Sequence, residues 1–283
     1  MVEYKTPGEI DAMHAAGQVV ARILAAVRSR AVPGTRLSDL DAAARDVLAE
    51  ARASSPFLGY QPDFAGPPFP AVICASVNDA ALHEIPGRYR LEDGDLLSID
   101  CGATLDGWTA DAAISVQAGH HRPADTRLIT TATRALQAGI TAAVPGGRLS
   151  DISAAIGATG RAAGYGIPPD FGGHGIGHAM HEDPHIPNAG RPGRGLRLVP
   201  GLVIAIEPWF LAGGTDACKI DADGWTVRST DGSRAAHVEH TIAITDDGPI
   251  VLTAALNKRQ DAATGDDAGS ESGSPGRSGR SRR

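Results

Sequence analysis

The amino-acid sequence predicts an α+β fold of two similar halves, with helices laid over one face of an antiparallel sheet. Three observations predict it. Helical periodicity at the start of the chain gives way to alternating and short apolar runs. The phrase VPGTRLSD at 32–39 returns as VPGGRLSD at 144–151, each time after a helical stretch. The turn dipeptide Asp106-Gly107 separates two of the apolar runs, as a hairpin requires.

The elements follow in order. Thr6-Pro7, with Glu9 three places after Thr6, reads as a capping box with proline at the first helical position. Ile10, Met13, Ala16, Val20, Ile23, Leu24 and Val27 then recur at helical spacing to about Arg30, and Pro33-Gly34 ends the helix. A second helix starts at Ser38 or Asp39 and buries Leu40, Ala43, Val47, Leu48 and Ala51; another is expected over about 125–143. Strands are expected at 71–76, 96–104, 109–116, 201–210 and 238–245. The repeated phrase lies 112 residues from its first copy and matches it at all but one position, and Ala42-Ala43 return as Ala154-Ala155. That period is far too long for a solenoid. It implies an internal duplication, about 1–120 and 121–253, packed about a pseudo-two-fold axis with any active site at the junction.

Composition narrows the function. The chain has 283 residues, 42% of them hydrophobic, which is enough for a sizeable core. Thirty-five glycines and 19 prolines point to many shaped loops. Of the formal charge of −7, residues 254–283 contribute +2 and the remainder −9, so DNA has no general reason to bind. No run of 18 apolar residues suggests a membrane span, and MVEYKTPGEI lacks an apolar signal core, so a cytoplasmic protein is expected. Cys74, Cys101 and Cys218 form neither a zinc knuckle nor a disulfide framework and suit a reducing compartment; Cys101 and Cys218 read as buried small residues. From residue 254 hydrophobic content collapses, which predicts a disordered, solubilising tail whose basic end could touch ribosomal RNA.

The chemistry concentrates in acids and histidines. Asp100 in LLSIDCGAT and Asp111 in WTADAAISV flank the hairpin turn, and closure at their midpoint places them side by side. Two such carboxylates among apolar neighbours raise each other's pKa unless a cation lies between them; alternatively one faces solvent at a strand end. GGHGIGHAMHEDPHIPN, at 172–188, holds four histidines among glycines that let backbone approach a bound group. It is not the helical zinc motif: HEDPH at 181–185 has the H-E-x-x-H spacing, but a proline stands where that motif requires a helix. Glu207 in LVIAIEPWF and Glu239 in HVEHTIAIT are costly inside apolar strands unless paired or metal-bound. With Asp100, Asp111 and His174 they supply four carboxylates and one imidazole. Four acids balance two divalent cations and overbalance one, which favours a two-metal site.

These motifs resemble the methionine aminopeptidases of the bacterial type I kind, with their pita-bread fold. The resemblance covers roughly residues 1–252 and rests on the aspartate pair eleven apart, GHGIGHAMHEDP, the IEP strand and GWTVRSTDGSRAAHVEHT. It implies a single catalytic domain that removes N-terminal methionine from nascent polypeptides when the second residue is small. Asp100, Asp111, His174, Glu207 and Glu239 would be metal ligands: Asp111 and Glu239 bridging, Asp100 on one ion, His174 and Glu207 on the other. A hydroxide shared by the ions would attack the first peptide carbonyl, Glu207 shuttling the proton, His181 donating to the oxyanion and His83 contacting the scissile amide. Tyr60, Phe69, Cys74, Met180 and Trp225 would line a pocket for the thioether side chain; each could equally be ordinary core.

The chain departs from the family in two places: Met180 stands where an aromatic residue is usual, and QPDFAGPPFP at 61–70 is long and proline-rich. His178, His185 and His240 have no ligand role by resemblance; His178 could line the cleft, but placement at the surface or behind the ligands is the default. Manganese, iron, cobalt and zinc all accept this donor type. A monomer suits a fold that completes its own cleft. Prolidase or Xaa-Pro aminopeptidase is the nearest rival, disfavoured because the first catalytic helix begins at Thr6 and by the sequence around Glu239. A catalytically weak or inactive binding protein on the same fold is the other, disfavoured by the complete ligand set.

Overall fold

A computed structural model describes residues 2–62 and 65–255. The tail expected from 254 onward falls outside them from residue 256. Helix α1 (Pro7–Arg30) starts as its sequence directs, with the Thr6 backbone N–H donating to the Glu9 carboxylate at 2.7 Å. Its apolar stripe, from Ile10 to Val27, is buried. By length and average composition α1 could cross a bilayer, although it contains no unbroken apolar run; more than half of that stretch is buried inside the protein, as in a core helix. Helix α2 (Leu37–Ala51) packs beside it.

Together they cover a sheet formed by β1 (Ile73–Val77), β3 (Leu96–Leu105) and β4 (Trp108–Gln117), in the order β1-β3-β4, while β2 (Ala80–Leu82) follows β1 in the chain. Helices α3 (Pro123–Ala142) and α4 (Leu149–Ala162) form the second pair. Beyond them lie β5 (Gly172–Gly175), β6 (Glu182–Pro187), β7 (Val203–Ile206), β8 (Trp209–Leu211), β9 (Cys218–Ile220), β10 (Val227–Ser229), β11 (Ala235–His237), β12 (His240–Thr245) and β13 (Gly248–Val251). Five of these build an antiparallel sheet in the order β13-β12-β7-β5-β6. The run expected as one strand over 201–210 is two, because Glu207-Pro208 interrupts the ladder.

The duplication is visible in hydrogen bonds. Gly34, Leu37 and Ser38 donate their N–H groups to the carbonyls of Leu91, Tyr89 and Gly87. Gly146, Leu149 and Ser150, each 112 residues later, donate to Leu198, Leu196 and Arg194. The two repeats therefore tie down their helices in the same way. Each half has its own apolar core, one around Val20, Ile23, Leu40 and Ile99 and the other around Leu128, Ile152, Ile204 and Phe210. The halves join where the Glu239 N–H donates to the Ala113 carbonyl at 2.9 Å and the Asp111 N–H donates to Thr241 Oγ1 at 3.1 Å.

The β3–β4 hairpin corrects one expectation. Asp106 (φ 50°) and Gly107 (φ 84°) form a two-residue turn closed by Leu105 opposite Trp108. That closure sets Asp100 opposite Ala113 and Asp111 opposite Gly102. The aspartates are thus diagonal rather than direct neighbours. They share a sheet face because the offset is two residues, and diagonal positions lie about 7–8 Å apart, a spacing with more room for a cation between the acids. Cys101 is buried as expected, whereas Cys218 on β9 is only partly buried, because that short strand lies at the edge of its sheet.

Gly17 marks a second tight fit. A methyl group there would lie 2.2 Å from the Leu252 carbonyl oxygen, so α1 approaches the chain after β13 as closely as backbone permits. Gly17→Ala is expected to cost about 1–3 kcal/mol by overpacking. Gly8→Ala, where the added carbon meets nothing within 4 Å, should stay within about 1 kcal/mol of wild type; thermal melts of the two variants compare them.

Candidate metal centre

All the site residues singled out in the sequence line one cavity of about 310 Å³. Its polar side carries His83, Asp100, Asp111, His174, His181, Glu207 and Glu239; its apolar side carries Tyr60, Phe69, Cys74, Met180 and Trp225. The acids reach it from both halves. Asp100 and Asp111 come from the β3–β4 hairpin, Glu207 from the end of β7 and Glu239 from just before β12. Asp100 and Glu207 are 107 residues apart, the same separation as Leu91 from Leu198 and Tyr89 from Leu196. They hold corresponding places in the two repeats.

Asp111 and Glu239 are each 3% exposed and His174 is 7% exposed. One donor atom from each of these three lies within 4.8 Å of the other two, a triad able to hold a metal ion. His174 Nδ1 is 2.9 Å from the Gly175 carbonyl. A carbonyl only accepts, so Nδ1 carries the ring proton and Nε2 keeps a free lone pair. That Nε2 lies 3.7 Å from Asp111 Oδ2 and 3.5 Å from Glu207 Oε1.

The electrostatics fit a cation. Burial, reinforced by Asp111 and Glu207 and opposed by the His237 imidazole, pushes Asp100 up to about 8. Burial also raises Asp111, and burial with the charges of Asp111, Glu207 and Asp100 raises Glu239 far above the carboxylate range. Burial would raise Glu207 too, but His237 beside one oxygen and His174 beside the other hold it below its ordinary value. Asp100 Oδ1 and Glu239 Oε1 are buried without a hydrogen-bond partner, although buried acceptors are normally satisfied. Acids this close, which hold protons unless a cation takes their place and which have acceptor atoms left over, are the donor set of a hard or borderline divalent ion.

The two other catalytic candidates are neutral imidazoles. Burial lowers His83 to about 4 and His181 to about 3. His83 sits at φ 59°, an unusual left-handed conformation for a non-glycine residue, with Nδ1 buried and unpartnered and the Phe171 ring edge-on at 5.1 Å. His181 Nδ1 is 2.8 Å from the Tyr60 hydroxyl. On the apolar side Phe69 meets Trp225 edge-on at 5.0 Å, and Trp225 Nε1–H donates to the Pro67 carbonyl at 2.8 Å. That bond ties Pro67 of the proline-rich stretch to the pocket wall. Burial pushes the Cys74 thiol up, which keeps it uncharged beside the acids.

The structure places the histidines that have no ligand role by resemblance. His178 does not line the cavity: it stacks on Trp108 at 3.8 Å and bonds the Gly107 carbonyl through Nδ1, because the hairpin tip is packed on its loop. His185 does line it, as do Phe57, Asp170 and Phe171. His240 bonds Thr253 Oγ1 away from the cavity. His237 was missed altogether, although strand alternation places it on the same face as Glu239 two residues later.

Buried acids and an imidazole set against an apolar pocket define a metal-dependent hydrolase. Residues 8–246 match the model of metallopeptidase family M24. The chain is 50% identical over 260 residues to methionine aminopeptidase 1 of Mycobacterium tuberculosis, covering 89% of this chain and 95% of that one. The crystal structure of methionine aminopeptidase from Thermotoga maritima superposes with a TM-score of 0.85 at 37% identity, covering 89% of this chain and 99% of that one. Prolidase from Pyrococcus furiosus shares the fold alone, with a TM-score of 0.70 at 20% identity, covering 90% of this chain and 66% of that one. The chain belongs to metallopeptidase family M24, in its bacterial type I methionine aminopeptidase branch.

The buried acids make stability depend on pH when metal is removed. Asp100 keeps its proton in the fold up to about 8 but loses it near 4 when unfolded. Between those values the folded state binds more protons, so stability falls as pH rises. Glu84, raised by burial to about 7, acts in the same direction. His83 and His181 act oppositely but only below their unfolded value near 6.5. The melting temperature of chelator-treated protein should therefore drop between pH 6.5 and 8, and saturating Mn²⁺ should flatten that slope.

Proposed function

We propose that the chain, through a catalytic unit spanning 1–253, removes the N-terminal methionine from peptides and nascent proteins with a small second residue, using two divalent cations. The observation that carries this reading is the cavity itself, which sets Asp100, Asp111, His174, Glu207 and Glu239 opposite an apolar, sulfur-bearing wall. Asp100, Asp111, His174, Glu207 and Glu239 would hold the ions, Asp111, His174 and Glu239 being the three whose donor atoms lie within 4.8 Å of one another. Bound ions supply Lewis acidity at the scissile carbonyl and lower the pKa of water toward neutrality.

The protein's own groups do the rest. The Glu207 carboxylate, kept ionised by its two imidazole neighbours, takes a proton from the attacking water and delivers it to the leaving amide nitrogen. His181 acts as a donor. With the Tyr60 hydroxyl donating to His181 Nδ1, 2.8 Å away, the proton of the neutral ring would sit on Nε2, where it can serve the carbonyl oxygen. His83 contacts the scissile amide. Cys74, Met180, Phe69 and Trp225 receive the methionine side chain, whose sulfur suits polarizable and aromatic neighbours. The same reading has the enzyme act as a cytoplasmic monomer whose basic tail meets ribosomal RNA transiently.

The deciding experiment offers Met-Ala-Ser and Ala-Pro peptides to metal-stripped and metal-restored protein. Free methionine from the first substrate alone, only with metal present, is the expected result; cleavage of the proline peptide instead would overturn the reading. Asp111→Ala and Glu239→Ala should abolish stoichiometric metal binding, measured by calorimetry, and reduce turnover to background. Tyr60→Phe keeps the ring but removes the hydroxyl, and steady-state kinetics should show kcat falling roughly tenfold with KM little changed, the effect of one lost buried hydrogen bond.

A further inference from the structure

Glu207 lies between two imidazoles, one at each carboxylate oxygen: His174 Nε2 is 3.5 Å from Oε1, and His237 Nε2 is 3.6 Å from Oε2. His174 belongs to the ligand set proposed above; His237 does not. His237 is 2% exposed, and its backbone is held on both sides. Its N–H lies 3.0 Å from Ser115 Oγ, its carbonyl accepts the Ser115 hydroxyl at 2.8 Å, and it pairs with Trp209 across β8 and β11. Nothing about this anchoring requires an imidazole, yet one is buried here with Nε2 lacking any hydrogen-bond partner. A buried polar atom without a partner calls for an explanation.

We propose that His237 is a positioning residue for Glu207, its Nε2–H fixing Oε2 so that Oε1 stays turned toward His174. This inference rests on the metallopeptidase reading. A terminal carboxylate torsion is broad and two-fold, so an untethered Glu207 could exchange its oxygens or swing away. The separation of 3.6 Å is just beyond hydrogen-bond length, and a shift of a few tenths of an ångström in either side chain closes it. Partners that orient a metal-ligating group typically matter about 10–100-fold to metal affinity or activity.

The test uses the full chain, stripped of metal and titrated with Mn²⁺ by calorimetry, for wild type, His237→Leu and His237→Gln. Leu and Gln are similar in volume, but only Gln keeps an N–H donor. His237→Leu should weaken Mn²⁺ binding about 10–100-fold and lower kcat on Met-Ala-Ser more than it changes KM. His237→Gln should recover both to within about 3-fold, with the visible spectrum of the Co²⁺-loaded protein unchanged from wild type. If melting shows that Leu disrupts the fold, His237→Met serves as the donor-free variant. Wild-type affinity and kcat in the donor-free variant would overturn the proposal. So would a Co²⁺ spectrum altered in His237→Gln, which would make His237 a direct ligand. Failure of wild type itself to bind Mn²⁺ or release methionine would instead overturn the metallopeptidase reading.

Discussion

Four carboxylates share one buried space, and their mutual repulsion is the constraint to which the surrounding structure answers. Removing such groups from water is expensive, and placing like charges together adds to that cost. The fold spreads the burden over rigid elements: a hairpin for Asp100 and Asp111, and the end of β7 and the approach to β12 for Glu207 and Glu239. None of these acids has a lysine or arginine beside it among the ion pairs of the described residues; the nitrogen partners there are the imidazoles of His174 and His237. Neutralisation is thereby left to protons or to bound cations. Metal binding and conformational stability are coupled for that reason.

Most of the architecture was legible in the sequence because it follows local rules. The capping box at Thr6 and Glu9, the apolar stripe of α1 and the Asp106-Gly107 turn each have a short-range physical cause, and each stands where those rules put it. The repeated phrase disclosed the duplication because a similar backbone task recurs, fastening a helix to the strand-bound chain beside it. What the sequence left open depended on long-range contacts. The hairpin register turned on which residues close the turn, a matter of two positions. Strands β2, β5, β6, β9, β10, β11 and β13 were not anticipated, since most have only three or four residues and owe their extended form to partners far away in the chain.

The site was legible in a different way. Acids inside apolar strands and histidines among glycines are locally unfavourable, and such violations of local preference mark functional positions. That signal picked out Asp100, Asp111, His174, Glu207 and Glu239, which line one cavity. It overlooked His237, whose neighbours Ala235, Ala236 and Val238 give no hint that the ring faces an acid. It also could not separate His178 from His185. Both lie in the same histidine-rich run, and only the packing of Trp108 decides which ring faces the cavity.

The matching placement of Asp100 and Glu207 in the two repeats bears on ancestry. Neither half by itself brings the acids together, so a half-length forerunner with this pattern would have had to associate with a twin of itself to assemble them. Joining two such copies in one polypeptide would leave each side of the junction free to specialise. Each half supplies two of the acids, Asp100 and Asp111 from one and Glu207 and Glu239 from the other, but the histidine-rich run belongs to the second half alone, so the scaffold is more symmetric than its chemistry.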